Sequence, residues 1–554
     1  MNTATECVRP DAPVIVIGNG PVGQTTALLL AHWGIATIVV DQRAQRDLVG
    51  SKAIAQQRDV LDIWDVLDGA GRQIAEEGVT WSRSRTFYRE HELFCTEYVE
   101  DGHTFPPFVN ISQSRTEQIL DERIAATPLV DVRWGHRVDD IVQHDDHVEL
   151  ACETPEGRVT LRAAYAVACV GARGNEVREL LGVEFGGRTF GDRFLICDIR
   201  ADLPGWHRER RFYFDPEWNP GRQVLIHPCP DSTFRIDWQV PEDFDLEVEE
   251  ETGRLDQRIR QVIGDRPYDI VWKSVYRFHS RIVDRFRVGR VLLAGDAAHL
   301  VSPFGGRGLN SGVQDAENAA WKLAAVLHGM AGEELLDSYH DERYAAAQEN
   351  LAITGATMEF LVPQTEAERA RRLDVLERAV EDPAARSEVD SGRLAEPFWY
   401  VDSPLTTPDP ARPFAGRPPK GSVPPPSPGV LIPDAPIEDP ATGTETRLRV
   451  LARRRITVLT GDAVDAEALR EELLRLGRAV PVFRAGDLGG EVAGRTGIRD
   501  DEVWVVRPDG HLAATLTSPH AIAVNAAITR VFGSRVSTTV PTARTPVENV
   551  FSPS

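Results

Sequence analysis

VIVIGNGPVGQTTALLLAHWGIATIVVD, residues 14–41, is the stretch from which the fold follows. Val14 to Ile17 is a continuous apolar run, the mark of a strand covered on both faces. Gly18-Asn19-Gly20-Pro21-Val22-Gly23 comes next, then a helical segment through Ala31. Ile35 to Val40 supplies a second strand, which ends at Asp41. G-x-G-x-x-G between a strand and a helix, with an acid closing the next strand, is the spacing of a dinucleotide-binding fold. Gly18, Gly20 and Gly23 admit the pyrophosphate, the helix end receives it, and Asp41 takes the ribose hydroxyls. The glycine pattern alone is a weak signal; strand, helix and acid in register make it a specific one.

A second stretch, residues 290–322, reads RVLLAGDAAHLVSPFGGRGLNSGVQDAENAAWK. Val291 to Ala294 is a short apolar run ending in Gly295 and Asp296, a buried strand delivering one carboxylate to its tip. An acid there is placed to bind sugar-like hydroxyls. Pro303, Gly305, Gly306, Gly308, Asn310 and Gly312 follow, and helical spacing then sets Trp321, Leu323 and Ala324 near one apolar face. An ordinary glycine-rich turn entering a helix would read the same way. The alternative is a ligand-approach site, where a helix N-terminus favours negative charge by about 0.3–1 kcal/mol.

Together the two stretches resemble the flavoprotein aromatic hydroxylases, the group containing para-hydroxybenzoate hydroxylase, phenol hydroxylase and the 3-(3-hydroxyphenyl)propionate hydroxylases. The likeness is carried by Gly18, Gly20, Gly23 and Asp41, by Gly295-Asp296 with Ala297-Ala298-His299, and by Pro303 through Asn310. It extends more loosely over residues 12–360. The resemblance implies FAD as cofactor, its ADP half on the first motif and its ribityl and ring end on Asp296. It also implies cofactor contacts from Gln42 and Arg43 after the acid, and from Lys52 and Arg58 on the following loop and helix. Lys52-Ala53 stands where the family carries an Arg-Ala pair, which exchanges a planar fork for a point charge. Gln113 matches a glutamine that contacts the flavin side chain, and Pro303 a proline packed beside the reactive edge. Gly306 and Gly308, with backbone N–H groups at Leu309 and Asn310, are expected to favour negative charge on reduced flavin. Arg307 replaces a frequent glutamine.

NAD(P)H is the implied reductant, and one departure bears on it. Val170-Gly171 stands in place of the family's Asp-Gly, and Gly174-Asn175 departs from its serine, while Val177-Arg178 persists. A hydrogen bond to a charged group contributes roughly 1.5–3 kcal/mol, against about 12 kcal/mol for a nanomolar cofactor. FAD binding should therefore survive the loss, and the choice between NADH and NADPH stays open.

The rest of the chain narrows the class. Its 554 residues call for several domains, and 42% hydrophobic residues supply a large core. A formal net charge of −23 argues against a nucleic-acid or anionic-membrane surface. The cysteines at 7, 95, 152, 169, 197 and 229 lack metal or disulfide spacing, so neither is expected. The N-terminus lacks a basic leader region and no apolar run approaches about 18 residues, which points to a cytoplasmic protein.

The expected fold class is α/β. Residues 1–80, 109–190 and 286–395 form a Rossmann-like FAD-binding domain, interleaved with a substrate-binding sheet from 81–108 and 191–285. Within that sheet the inward candidates are Tyr213, His227, Asp237 and Trp238. His227 comes first as acceptor of a phenolic proton because imidazole titrates near neutrality, and Tyr213 second; each is individually more often structural. Residues 396–445 are a proline-rich linker. Residues 446–540 resemble the thioredoxin-like C-terminal domain of phenol hydroxylase, including the turn Arg507-Pro508-Asp509-Gly510, and 541–554 are a tail. No cysteine follows Cys229, so thiol chemistry is excluded there; a scaffold or homodimer role remains by analogy.

The resulting expectation is an FAD monooxygenase that uses NAD(P)H and molecular oxygen, through a flavin C4a-hydroperoxide, to hydroxylate a phenolic or other aromatic substrate. Two alternatives stand beside it. One is epoxidation or Baeyer–Villiger oxidation of a polyketide-like substrate, and the other a flavoprotein oxidase or redox carrier that does not use NAD(P)H directly.

Overall fold

The computed structural model describes residues 11–47, 50, 53–98, 103–392, 394, 396–419 and 422–533. Lys52, Cys7 and the tail 541–554 lie outside the described residues.

The strand Ala12–Ile17 runs through the middle of an eight-stranded sheet, parallel to Thr37–Asp41 on one side and to Gly157–Ala168 on the other. Val291–Leu293 then pairs in parallel with Gly157–Ala168. The second motif is thereby delivered two strands from the first, although about 280 residues separate Ala12 from Val291. Val14, Ile15 and Val16 are fully buried, with the helix Pro21–His32 packed against their strand. The helices Pro21–His32 and Arg307–Leu327, one from each motif, pack on each other.

A second eight-stranded sheet runs, edge to edge, through His299–Leu300, Tyr268–Val283, Phe185–Ala201, Thr233–Val240, Gln223–Cys229, Glu209–Phe214, Arg83–Tyr88 and His91–Glu97. Its two faces differ. Thr233–Val240 sends Phe234, Ile236, Trp238 and Val240 to one side, where they meet Leu255, Ile259 and Ile263 of the helix Arg254–Ile263. Each such apolar side chain contributes roughly 1.5–3 kcal/mol through burial. The other side receives Arg235, Asp237 and Gln239 by strict alternation. Part of that side is closed by Phe304, Met358 and Leu361 over Phe194, Phe212, Phe214 and Phe278.

The proline-rich segment is extended and packed, with Tyr400, Leu405, Val430 and Ile432 buried. Beyond it a four-stranded sheet takes the order Val482–Arg484, Thr457–Thr460, Glu502–Val506, Leu512–Thr517, the first pair parallel and the others antiparallel. Helix Ala466–Arg475 joins the parallel pair, and Ala521–Phe532 follows the last strand. Buried ion pairs cross from this unit to the helices Arg307–Leu327 and Asp337–Leu361 and continue within each side. Arg507 donates to Glu342 at 2.9 Å and to Asp509 at 2.7 Å, Lys322 to Glu342 at 2.7 Å, and Arg453 to Glu317 at 2.6 Å. Removing one member of such a pair costs about 3–5 kcal/mol because the other is left charged and buried.

Candidate active site

The three glycines of the first motif do three different things. Gly18 has φ +105°, and a Cβ there would lie 2.5 Å from the Cys169 carbonyl oxygen. A Cβ on Gly23 would lie 1.9 Å from the Gly18 oxygen, so this glycine allows helix and strand to close together. A Cβ on Gly20 would meet nothing within 4 Å, which leaves the helix N-terminus open to a ligand. The Asn19 amide donates to Asp41 Oδ2 at 2.8 Å, and the buried Asn19 side chain has neither Nδ2 nor Oδ1 partnered. Burial pushes the Asp41 carboxyl up, but the Arg43 guanidinium and the backbone amides of Arg43 and Asn19 outweigh it and hold it below the ordinary range. Gln42 is exposed beside it. Arg46, not foreseen from the sequence, ties the loop down by donating to the Asn19 carbonyl at 3.0 Å and to Glu117 at 2.8 Å.

The second motif leans directly on the first. A Cβ on Gly312 would lie 2.6 Å from Val22 Cγ2, and one on Gly295 3.0 Å from the same atom. The turn at Gly295 is held by Asp315, which accepts from the Gly295 amide at 2.9 Å, from Arg343 Nε at 2.6 Å, and pairs with His299 Nε2 at 2.7 Å. Burial drives Asp315 up, yet Arg343 and His299 pull it down to about 2. Asp296 occupies a single 3-10 turn, and a Cβ on Gly308 would lie 3.9 Å from its Oδ1. Arg178 braces the neighbouring loop, donating to the carbonyls of Ala172 at 2.9 Å and Ala297 at 3.3 Å.

Pro303 is exposed, and Gly306, at φ +65°, precedes the helix Arg307–Leu327. The first amides of that helix, those of Gly308 and Leu309 among them, have no partner within it. The Asn310 side chain fixes the strand Ala55–Gln57 by accepting from the Gln57 amide at 3.0 Å and donating to the Ala55 carbonyl at 2.8 Å. Gln113 accepts from the Ala53 amide at 3.2 Å. Arg58 donates to the Phe105 carbonyl at 2.8 Å, and Arg307, fully buried, to Asn350 at 2.7 Å and the Leu394 carbonyl at 3.2 Å.

The ring end of this cradle adjoins the polar face of the second sheet. Phe304 stands edge-on to Phe194 and Phe278, with centroids 5.6 and 5.8 Å apart. Asn110 donates to the Pro228 carbonyl at 2.9 Å, and a Cβ on Gly50 would lie 3.7 Å from the Trp272 indole nitrogen. Trp81, edge-on to Tyr98 and tilted against Phe108, and Arg210, which donates to Ser84 at 3.2 Å and the Ser391 carbonyl at 3.4 Å, form another wall. Inside these limits Arg210, His227, Asp237 and Ser274 stay partly exposed, and Tyr276 is 37% exposed, although the strands that carry them are central. The face is therefore a recess.

The structure brings His227 into this recess and places Tyr213 on the opposite face, stacked on Phe87 at 4.7 Å and edge-on to Trp218 at 5.7 Å. Trp238 is also on that closed face. The pair Tyr213 and His227 is thus divided by the pleat. Burial, then Arg210 and Arg235, hold the His227 imidazole well below its usual range. Asp237 moves the other way, to about 7, because burial and Asp198 outweigh Arg235 and Arg210. Arg210 and the buried pair Arg235–Asp198 (2.8 Å) were not anticipated. The signal for Arg235 was the alternation in Thr-Phe-Arg-Ile-Asp-Trp-Gln-Val, 233–240, which sets three polar side chains on one side. Elsewhere among the described residues, His144, His147 and Glu149 bring ligand-type atoms within 4.8 Å of one another, but Arg162 already donates to Glu149 at 2.6 Å.

Residues 11–354 match the family model described as FAD binding domain. The chain belongs to this family of FAD-binding proteins. Residues 425–534 match a second model, described as aromatic-ring hydroxylase, C-terminal. The chain is 31% identical over 384 residues to a 3-(3-hydroxy-phenyl)propionate/3-hydroxycinnamic acid hydroxylase of Mycolicibacterium gilvum, covering 68% of this chain and 65% of that one. It is 35% identical over 363 residues to a flavin-dependent monooxygenase of Mycobacteroides abscessus, covering 62% and 73%. Among solved structures, the flavin-dependent monooxygenase PieE in complex with FAD and substrate superimposes with a TM-score of 0.82 at 23% identity, over 95% of this chain and all of that one, a likeness of fold.

The cofactor of this FAD-binding protein is FAD, and the residues present fit it. The unpartnered side-chain amide of Asn19, the open space at Gly20 and the free first amides of Arg307–Leu327 each lack what a bound dinucleotide supplies. Val170, in place of the family's acid, lies beneath Gly174, where a Cβ would come within 2.0 Å of its Cγ2. Among the described residues no helix is long and apolar enough to cross a membrane.

Proposed function

We propose that this protein is an FAD-dependent monooxygenase that hydroxylates a phenolic or other aromatic substrate, with molecular oxygen as co-substrate and NAD(P)H as reductant. The observation that carries the reading is the recess. The ring-end residues Pro303, Leu309 and Asn310 adjoin a sheet face walled by Trp81, Phe304 and Trp272 and floored by charged groups, the combination of flat apolar walls and few polar groups that orients an aromatic ring.

Asp41 would take the adenosine ribose, with Arg43 releasing one carboxylate edge, and Gly18, Gly20 and Gly23 would let the pyrophosphate reach the helix N-terminus. Asp296 would hold the ribityl chain, with Gln113 near it. Leu309 and Asn310 would present amides to the ring end, where they favour negative charge. Bound FAD, once reduced, supplies the activation of oxygen. Pro303 and the aromatic walls orient the substrate and exclude water, which turns the oxygen transfer into a positioned reaction between held partners.

Purified protein is expected to be yellow, to consume NAD(P)H faster in the presence of a phenol, and to release a product one oxygen atom heavier. Colourless protein that refuses added FAD would sink this reading. Val170 supports a second one, in which another protein reduces the flavin, since the apolar side chain offers no charge to a nicotinamide coenzyme. Anaerobic mixing separates the two: bleaching of the flavin by NADH or NADPH alone supports the first. A cytoplasmic homodimer completes the proposal, its stoichiometry measurable by light scattering.

A further inference from the structure

Five ionisable groups from four adjacent strands meet on the polar face of the substrate sheet. Arg210 comes from Glu209–Phe214, His227 from Gln223–Cys229, Arg235 and Asp237 from Thr233–Val240, and Asp198 from Phe185–Ala201. Register places His227 opposite Arg235, Asp198 opposite Arg235, and Asp237 between Leu225 and Ile196. Tyr98 faces Arg210 from the aromatic wall. Four of these groups are accounted for. Arg235 is paired with Asp198 at 2.8 and 3.2 Å, and Arg210 is anchored on Ser84 and the Ser391 carbonyl. His227 lies between two guanidinium groups, so a proton on its ring would add a third positive charge to the same place. Asp237 is the exception: its Oδ1 is sealed from solvent and has no hydrogen-bond partner, while the residue as a whole remains open to the recess. A buried carboxylate oxygen without a partner costs free energy and persists where a ligand completes it.

We propose that Asp237, rather than His227, is the base that takes the proton from the hydroxyl of a phenolic substrate in the recess, with Arg210 and Arg235 holding the phenolate that results. This rests on the hydroxylase reading of the recess. In the step the substrate O–H bond breaks, its electron pair stays on the phenolate oxygen, and the proton forms a new O–H bond on the Asp237 carboxylate. Before transfer the cluster carries two guanidinium charges, Asp198 and Asp237. Afterwards it carries the same two, Asp198 and the phenolate. Net charge is unchanged, so the transfer avoids the cost of creating charge in a buried site. The chemical class that fits is a neutral hydroxyarene, whose ring becomes electron-rich only once bound. Burial and Asp198 raise Asp237 to about 7, which leaves it able to accept a proton near neutrality.

The test uses the full-length, FAD-loaded protein and 3-nitrophenol, whose ionised form is coloured and which is mostly un-ionised when free slightly above neutral pH. Wild type is expected to bind it as phenolate without releasing a proton to the buffer, measured by a pH indicator or by calorimetry in buffers of different ionisation heat. Asp237→Asn is expected either to bind the neutral phenol or to release one proton per phenolate formed. In turnover with a hydroxylated phenol, Asp237→Asn should lose about 10²–10⁴-fold in kcat/KM at unchanged FAD content. The acid limb near neutrality should disappear with it, and Asp237→Glu should restore part of that limb. Release of one proton per bound phenolate by wild type and variant alike overturns the assignment to Asp237 and leaves the hydroxylase reading standing. Failure of wild type to bind any phenol overturns the hydroxylase reading, and this inference with it.

Discussion

Asp315 and Asp237 are carboxylates enclosed by the same protein, and their surroundings drive them in opposite directions. Asp315 is met by three donors, the Gly295 amide, Arg343 and His299, and falls to about 2. Asp237 has one oxygen with no donor and rises to about 7. Burial raises both; Arg343 and His299 outweigh it at Asp315, while Asp198 adds to it at Asp237. A carboxylate given every partner is a fastening, here of the turn that carries Asp296. One left short of partners is a vacancy for substrate chemistry, and the contrast distinguishes scaffold from site without reference to any relative.

The largest expected effect comes from unfastening the first of the pair. Arg343→Leu strands Asp315 and should cost about 3–5 kcal/mol, read as a lower denaturation midpoint together with weaker FAD retention; a variant that melts like wild type would break the comparison. Next are the opposite pH dependences. Asp315, depressed from an unfolded value near 3.9 to about 2, should contribute about 2–3 kcal/mol that is present above pH 4 and lost as pH falls through 2. Asp237, raised to about 7, should do the reverse, with stability undiminished below pH 4 and eroding as pH rises toward 7. Asp237→Asn should therefore stabilise the protein above neutrality, by up to about 4 kcal/mol on the same conversion, and hardly at all near pH 4. Melting curves of the variant and wild type across that range would expose equal slopes. The smallest effect belongs to the closed face: Tyr213→Phe should change stability by no more than about 0.5 kcal/mol and leave kcat/KM unaltered.

Much of this was legible in the chain. Val14–Ile17 and Val291–Leu293 both run parallel to Gly157–Ala168 in one sheet, as short apolar runs closed by glycine suggest, and the glycine spacings mark the two turns that Val22 brings together. The substrate face was less legible for a definite reason. In Glu-Arg-Arg-Phe-Tyr-Phe, 209–214, aromatic residues fall on both parities, so alternation could not say which side faces the glycine-rich turn before Arg307. Packing of Phe304 on Phe212's side settles it, and that contact spans more than 90 residues. The proline-rich segment misleads in a similar way: its composition describes an extended path, while Tyr400 accepts from Arg343 at 2.9 Å, a partner 57 residues earlier. Arg210 and Arg235 escaped notice because a lone arginine in a strand is usually solvated, and only the assembled sheet shows two of them converging.

Val22 touches both Gly295 and Gly312, and this has a consequence for how the protein comes into being. The nucleotide-binding loop leaves the ribosome early, but the surface against which its helix rests is not synthesised until roughly 290 residues later, an interval on the order of 15–60 s at ordinary elongation rates. Through that interval Val22 lacks its neighbours, and the flavin has only half of its seat. Cofactor capture is thus a late event in the life of the nascent chain, and a truncation ending before Gly312 should yield no holoprotein, however complete its N-terminal motif.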